Sequence, residues 1–191
     1  MQIGTMKLYF KNMVSNRCKV LVKSELERIG LHCMTIELCE VEVEEYISTE
    51  KRNQIIVDLK KIGYPLIEDK KIIIIEQIKA IIIELVHYRE TPLKTNLSVY
   101  LSEKLQYDYT YLANIFSETH GHTIEQFFLT HRVERAKELL VYDELNITEI
   151  ADKLHFSSVA HLSNQFRKVT GITPSHYKHL RKRKRQPLEK V

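Results

Sequence analysis

Apolar and polar residues alternate over MKLYF at positions 6–10, then shift to helical spacing at Val20, Leu21, Leu26 and Ile29, closed by Gly30. Period-two alternation returns in LHCMTIEL (31–38) and VEVEEY (41–46), separated by Cys39 and Glu40, which predicts a hairpin. Ser48 and Thr49 stand in capping position ahead of Ile55, Ile56, Leu59 and Ile62 on one helical face. Gly63 ends that helix before a short strand in YPLI (64–67).

The order strand, helix, strand, strand, helix, strand predicts a ferredoxin-like βαββαβ unit over residues 1–69. Ile74, Ile78, Ile81, Ile82 and Leu85 then recur at three- and four-residue spacing, predicting a connecting helix from about Lys70 to Tyr88 within a 70–91 linker. So many β-branched residues argue against intrinsic helix propensity, and burial is expected to supply the difference. Their apolar face belongs in the core or at a homodimer seam. Glu76, Lys79 and Glu84 interrupt the run, so no stretch approaches the roughly 18–20 apolar residues of a membrane span, and no membrane partner is expected. Pro92 marks a boundary, after which short helical patterns joined by tight turns fill residues 92–182. The fold class expected is therefore α+β, a βαββαβ domain followed by an all-α domain.

The second half repeats itself. SVYLSEKLQY (98–107) aligns with ITEIADKLHF (147–156) at an offset of 49, pairing Leu101 with Ile150, Leu105 with Leu154 and Tyr107 with Phe156. One residue is then inserted. At an offset of 50, Leu112 pairs with Leu162, Asn114 with Asn164, Phe116 with Phe166, Gly121 with Gly171 and Thr123 with Thr173. Each copy carries a short amphipathic helix, a turn with a capping residue (Asp108; Ser157 or Ser158) and a second helix ending at glycine. Two helix-turn-helix units are written in tandem. Leu112, Ile115 and Phe116, and Leu162, Phe166 and Val169, form the inward sides of the second helices. Between the units, TIEQ (123–126) is a capping box opening a helix to about Tyr142, with Leu129, Val133, Ala136 and Leu140 on one face.

Charge singles out the same half. Residues 1–90 hold 14 Lys+Arg against 14 Asp+Glu, and residues 91–191 hold 15 against 11, so the whole net charge of +4 lies after the boundary. A basic half points to a polyanionic partner, and the basic tail over 183–191 to phosphate tracking. Three cysteines, Cys18, Cys33 and Cys39, form no disulfide framework, which favours a reducing compartment, and no secretory leader pattern opens the chain; the cytoplasm is expected. His120 and His122 flank Gly121 with no cysteine nearby, and read as turn residues rather than metal ligands. No glycine-rich phosphate loop, nucleophile elbow or paired-His motif appears, so neither an enzyme nor a cofactor is expected.

Roughly residues 96–182 resemble the DNA-binding domain of the AraC/XylS family of bacterial transcription regulators. The resemblance is most specific over IADKLHFSSVAHLSNQFRKVTGITPSHYK (150–178), with its alanine in the first helix, aromatic before the turn, F-R-K, and G-x-T-P followed by an aromatic. It implies double-stranded DNA as partner, with RNA polymerase as a further one. The family's groove-facing positions fall on Tyr109, Thr110, Tyr111, Ala113 and Asn114, and on Ser158, Val159, Ala160, Ser163 and Asn164. No arginine stands among them, so the bidentate pair to guanine is missing, whereas Asn114 and Asn164 can pair with adenine N6 and N7. Arg132, Arg167, Lys168 and Lys178 are the expected phosphate contacts.

The first domain also resembles the heavy-metal-associated domain, whose M-x-C-x-x-C loop lies between the first strand and helix. Here the loop reads MVSNRC (13–18): Met13 and Cys18 match, but Ser15 replaces the first cysteine, and a hydroxyl is a poor ligand for a soft ion such as Cu(I). The expected function is DNA-binding transcriptional regulation, with a heavy-metal-binding or thiol redox-sensing protein carrying a basic interaction module as the alternative.

Overall fold

The computed structural model describes residues 5–44, 46–142 and 144–185, with side chains to 181. Among these the elements run β1 (Met6–Phe10), α1 (Asn16–Arg28), β2 (Cys33–Glu37), β3 (Glu40–Val43), α2 (Thr49–Lys61), β4 (Leu66–Ile67), α3 (Lys70–His87), α4 (Leu97–Leu105), α5 (Tyr109–His120), α6 (Ile124–Tyr142), α7 (Ile147–Lys153), α8 (Val159–Thr170) and α9 (Pro174–Arg185). The chain divides into two compact units, one of residues 1–84 with 95–121 and the other of 85–94 with 122–191. This division does not follow the expected boundaries at 69, 91 and 182. The segment 85–94 belongs with the second unit, and α4 and α5 belong with the first.

In the first unit four strands form one sheet in the order β2-β3-β1-β4, every neighbouring pair antiparallel. Leu8 and Phe10 of β1 and Val41 and Val43 of β3 are buried, and Leu8 lies opposite Val41. Alternation puts these side chains on one face, where Val22 and Leu26 of α1 and Ile55 and Leu59 of α2 complete the core. Lys7 and Glu40 stand at alternate positions to those core residues and form an ion pair at 2.6 Å.

Two expectations about inward faces and one about a turn need correction. In α1, Val20 (67% exposed) and Leu21 (54%) point to water, while Val22 and Leu26 are buried and Cys18 packs beside them. The inward stripe is Cys18, Val22, Leu26 and Ile29, a set at three- and four-residue spacing on the side of α1 that meets the sheet. In α2, Ile56 and Ile62 are exposed, and the inward face is shared instead by Asp58, whose carboxylate meets Arg28 of α1 at 3.0 Å. The hairpin turn falls at Leu38 and Cys39, not Cys39 and Glu40, since Cys39 adopts the left-handed conformation (φ 64) and Glu40 already pairs in β3.

Helix α3 runs close to the expected bounds and is capped by Asp69, whose carboxylate accepts from the Lys71 and Ile72 amides at 2.8 and 3.1 Å. Ile74, Ile75, Ile78, Ile81 and Ile82 are buried, and none of its isoleucines is exposed. Burial within the chain thus compensates the poor helix propensity. Glu76 is buried with them, paired to Lys79 at 2.7 Å.

In the second unit α6 packs against α7, α8 and α9. The core there is Val133, Ala136, Leu139 and Leu140 of α6, Ile150, Ala151, Leu154 and Phe156 around α7, and Leu162 and Phe166 of α8. Helix α6 opens with the expected reciprocal cap: the Thr123 amide donates to Gln126 Oε1 (2.9 Å) and the Gln126 amide to Thr123 Oγ1 (3.2 Å). The basic run RKRKR (181–185) continues α9 as far as Arg185 rather than starting a tail at 183, and residues 186–191 lie outside the described set. No helix among the described residues is long and apolar enough to cross a membrane.

Candidate nucleic-acid interface

The helix pairs α4/α5 and α7/α8 are built by the same local rules. Helix α4 ends at Gln106 (φ 59), and the residue after Leu154 at the end of α7, His155, has φ 56. These two left-handed residues are themselves related by the repeat offset of 49. Neither is glycine, so each carries the cost, on the order of 1 kcal/mol, of a side chain in that region. The turn that reverses the chain fixes this conformation in both copies.

Each second helix then starts on a side-chain cap. Asp108 accepts from the Thr110 amide at 2.8 Å, and Ser158 from the His161 amide at 3.0 Å. The hydrogen bonds from Thr110 hold the Asp108 carboxyl below its usual range. Each helix ends at a left-handed glycine, Gly121 (φ 70) and Gly171 (φ 80), whose amides close on the Ser117 and Arg167 carbonyls. Leu112, Ile115 and Phe116 face inward in α5, as do Leu162 and Phe166 in α8, whereas Val169 is 38% exposed and lies outside the core expected of it. Val169 lies two residues before the Gly171 cap, beyond Phe166, the last buried residue of the stripe.

Burying those residues turns the opposite face of each helix outward. In α5, Thr110, Tyr111 and Asn114 are exposed and Tyr109 and Ala113 half-buried. In α8, Ala160 and Asn164 are exposed with the capping Ser158, Val159 and Ser163 are half-buried, and exposed Arg167 and Lys168 extend the same stripe. Positions 160, 163, 164 and 167 keep the three- and four-residue spacing of one helix face. The Asn114 and Asn164 side-chain amides make no hydrogen bond to the described residues, and Arg167 and Lys168 have no acidic partner among them. Arg167 and Lys168 also close the last turn of α8, where the helix dipole favours cations. Lys178 of α9 is half-buried. Tyr111 is held against Tyr107, ring centroids 5.5 Å apart.

Arg132 departs from its expected place as a phosphate contact. Its Nε and Nη2 donate to the Leu154 carbonyl at 3.0 and 2.7 Å, and its guanidinium lies 3.7 Å over the Phe156 ring. Burial pushes its pKa down to about 10. The side chain fastens α6 to the end of α7 just before the turn. A second fastening, also unforeseen in the sequence, is His161: Nδ1 lies 2.9 Å from Ser157 Oγ and its ring meets Phe156 edge-on at 5.5 Å. The repeat held a signal for this asymmetry, because Phe156 is buried while its counterpart Tyr107 is 45% exposed. Only the second copy has an aromatic that needs a lid.

The loop between β1 and α1 is a capped turn. Ser15 is the N-cap of α1, accepting from the Cys18 amide, and its Oγ lies 3.1 Å from Cys18 Sγ. Met13 is fully buried, and its carbonyl accepts from the Cys39 amide at 3.2 Å. A core methionine cannot turn out to join Cys18 as a ligand without opening the hydrophobic layer, so the Met13–Cys18 candidate metal pair is not supported by this geometry. Among the described residues no group of three His, Cys, Asp or Glu side chains gathers to hold a metal. Burial raises the Cys18 pKa, but hydrogen bonds from Ser15, Tyr64 and the backbone outweigh it and hold the thiol below its ordinary value.

A family model described as a helix-turn-helix domain matches residues 101–180. This segment is a helix-turn-helix domain. A curated relative of the domain, the HTH-type transcriptional regulator YtdP of Bacillus subtilis, is 28% identical over 78 residues, 41% of this chain and 10% of its own length. An HTH-type transcriptional regulator of Staphylococcus aureus is 36% identical over 78 residues, with the same coverage. The chain thus matches about a tenth of the length of these relatives. Among solved structures, the DNA-binding domain of AdpA, a global transcriptional factor in complex with a target DNA, superposes with a TM-score of 0.50 at 22% identity, covering 58% of this chain and 95% of that one. That likeness establishes the fold of the helix-turn-helix domain.

Proposed function

We propose that the chain is a sequence-specific DNA-binding transcriptional regulator of the AraC type, with α5 and α8 each entering a major groove of double-stranded DNA. One observation carries this reading: two copies of one helix-turn-helix design each bury an apolar stripe and leave an outward polar stripe whose asparagine amide has no partner among the described residues. Asn114 and Asn164 are the base-reading residues, both suited to adenine. Thr110, Tyr111, Ala160 and Ser163 line the grooves beside them, with Tyr109, Ala113, Ser158 and Val159 at the margins. Arg167, Lys168 and Lys178 meet phosphates and set the register. Helix α6, 19 residues long, measures about 28 Å, near the roughly 34 Å turn of B-DNA that separates adjacent grooves on one face.

The first domain is read as a ferredoxin-like unit, supported by the β2-β3-β1-β4 order and its two helices on one face. A DNA-binding role sets the protein in the bacterial cytoplasm, with RNA polymerase as the partner such a regulator addresses. The test is selection of bound sequences from random duplexes, followed by titration of the best site across salt concentrations. A steep negative slope of log K on log salt is expected, and Asn164→Ala should cost about 1–3 kcal/mol at one or two base pairs only. Equal weakening on every sequence would remove Asn164 from base reading, and salt-independent binding would remove the proposal.

A further inference from the structure

The two helix-turn-helix copies share an aromatic contact and present it differently. Tyr107 and Phe156 stand at equivalent positions before the turns, at the offset of 49. Tyr111 and His161, the third residues of α5 and α8, are equivalent at the offset of 50. In each copy the ring before the turn meets the ring of that third residue, with centroids 5.5 Å apart. In the second copy the contact is turned inward: Phe156 is 5% exposed, and His161 is half-buried and engaged by Ser157. In the first copy both rings face water, Tyr107 at 45% and Tyr111 at 40% exposure. Tyr107 has a backing of its own, because it lines a groove of the first unit together with Tyr9, Ile73 and Gln77. Its ring is therefore a support for Tyr111 that leaves part of the Tyr111 ring open to solvent.

We propose that Tyr111 reads the 5-methyl group of a thymine in the major groove, with Tyr107 as the positioning residue that holds its ring in place. This inference rests on the proposed function and assigns base chemistry within the groove that α5 enters. Thymine alone among the four bases carries a methyl group on its major-groove edge, and that group is read by apolar contact rather than by a hydrogen bond. Tyr111 and Asn114 lie three residues apart on one exposed helix face, so their side chains start about 5–6 Å from each other. That distance is one or two steps along bases stacked at about 3.4 Å. The half-site of α5 thus holds an adenine read by Asn114 with a thymine within two base pairs of it. A ring already packed against Tyr107 has little freedom left to lose on binding, so the support sharpens the discrimination. In α8 the equivalent residue is His161, already engaged by Ser157 and Phe156, so this aromatic device serves only the half read by α5.

The experiment takes the best duplex from the selection above and replaces its thymines one at a time by deoxyuridine, which removes the methyl group and keeps the base pairing. The affinity of the full chain for each thymine duplex is divided by its affinity for the deoxyuridine counterpart. One thymine, within two base pairs of the adenine that Asn114→Ala ceases to discriminate, should give a ratio of about four, the worth of one buried methyl group. Tyr111→Ala and Tyr107→Ala should bring that ratio to about one, whereas Tyr111→Phe and Tyr107→Phe should keep it at about four. Each ratio compares two duplexes bound by one preparation, so a change in folded fraction cancels. Indifference of every thymine near that adenine, or a ratio that survives Tyr111→Ala, overturns the methyl reading. Loss of the ratio in Tyr111→Phe overturns it too, by making the hydroxyl the contact. A ratio that survives Tyr107→Ala removes the positioning role. A chain that selects no duplex overturns the regulator reading itself, a result distinct from selection without a methyl response.

Discussion

Arg132 separates two roles that sequence reading merges, a phosphate contact and an internal clamp. Replacement by Met keeps the aliphatic stem and removes the guanidinium. The hydrogen bonds to the Leu154 carbonyl are charge-assisted, worth about 1.5–3 kcal/mol, and the stack over Phe156 adds about 0.5–2 kcal/mol. One planar group makes both, so they do not simply add, and a loss of about 2–4 kcal/mol is expected. In a unit this small the melting temperature should fall by about 10 °C or more. Arg132→Lys keeps a charge but neither the fork nor the stacking plane, and should recover less than half of the loss. Thermal and urea unfolding followed by far-UV circular dichroism give the stability; DNA titrations across salt give the second readout. A clamp leaves the salt slope of the folded protein unchanged, whereas a lost phosphate contact flattens it by about 0.9. A stability change under about 0.5 kcal/mol together with a flattened slope would refute the clamp.

Three further outcomes are expected. Gly171→Ala should destabilise the second unit by about 1–2 kcal/mol through backbone conformation alone, because φ is +80 and an added Cβ meets nothing within 4 Å; an unchanged urea midpoint would contradict this. Cys18, held below the usual thiol range, should be alkylated by iodoacetamide before Cys39, which burial and the nearby Glu76 push up to about 12; peptide mapping that finds Cys39 modified first in the folded chain would reverse the assignment. The folded-state pKa of Asp108 is depressed, so its cap contributes stability above its unfolded value near 3.8 and loses it as pH falls through the folded one; Asp108→Asn should remove that part of the acid dependence, and identical acid melts of the two proteins would exclude it.

The sequence by itself determined the elements and the duplicated design. Caps at Ser48, Asp108, Thr123 and Ser158, glycines at 121 and 171, and the change of hydrophobic period are local signals, each set by backbone hydrogen bonding within a few residues. The inward positions Leu112, Phe116, Leu162 and Phe166 were legible because the repeat registers them twice. Which of several apolar stripes a helix buries was not: α1 carries Val20 and Leu21 as well as Val22 and Leu26, and only the position of the sheet chose between them. The fate of a long side chain was equally hidden. Arg132, Arg167 and Lys168 look alike along the chain, yet the first lies over Phe156 and meets the Leu154 carbonyl 22 residues away while the others face outward. A cap is decided by its own turn, but a cation is decided by whichever acceptor or ring the fold brings within reach, and that distance exists only in the tertiary structure.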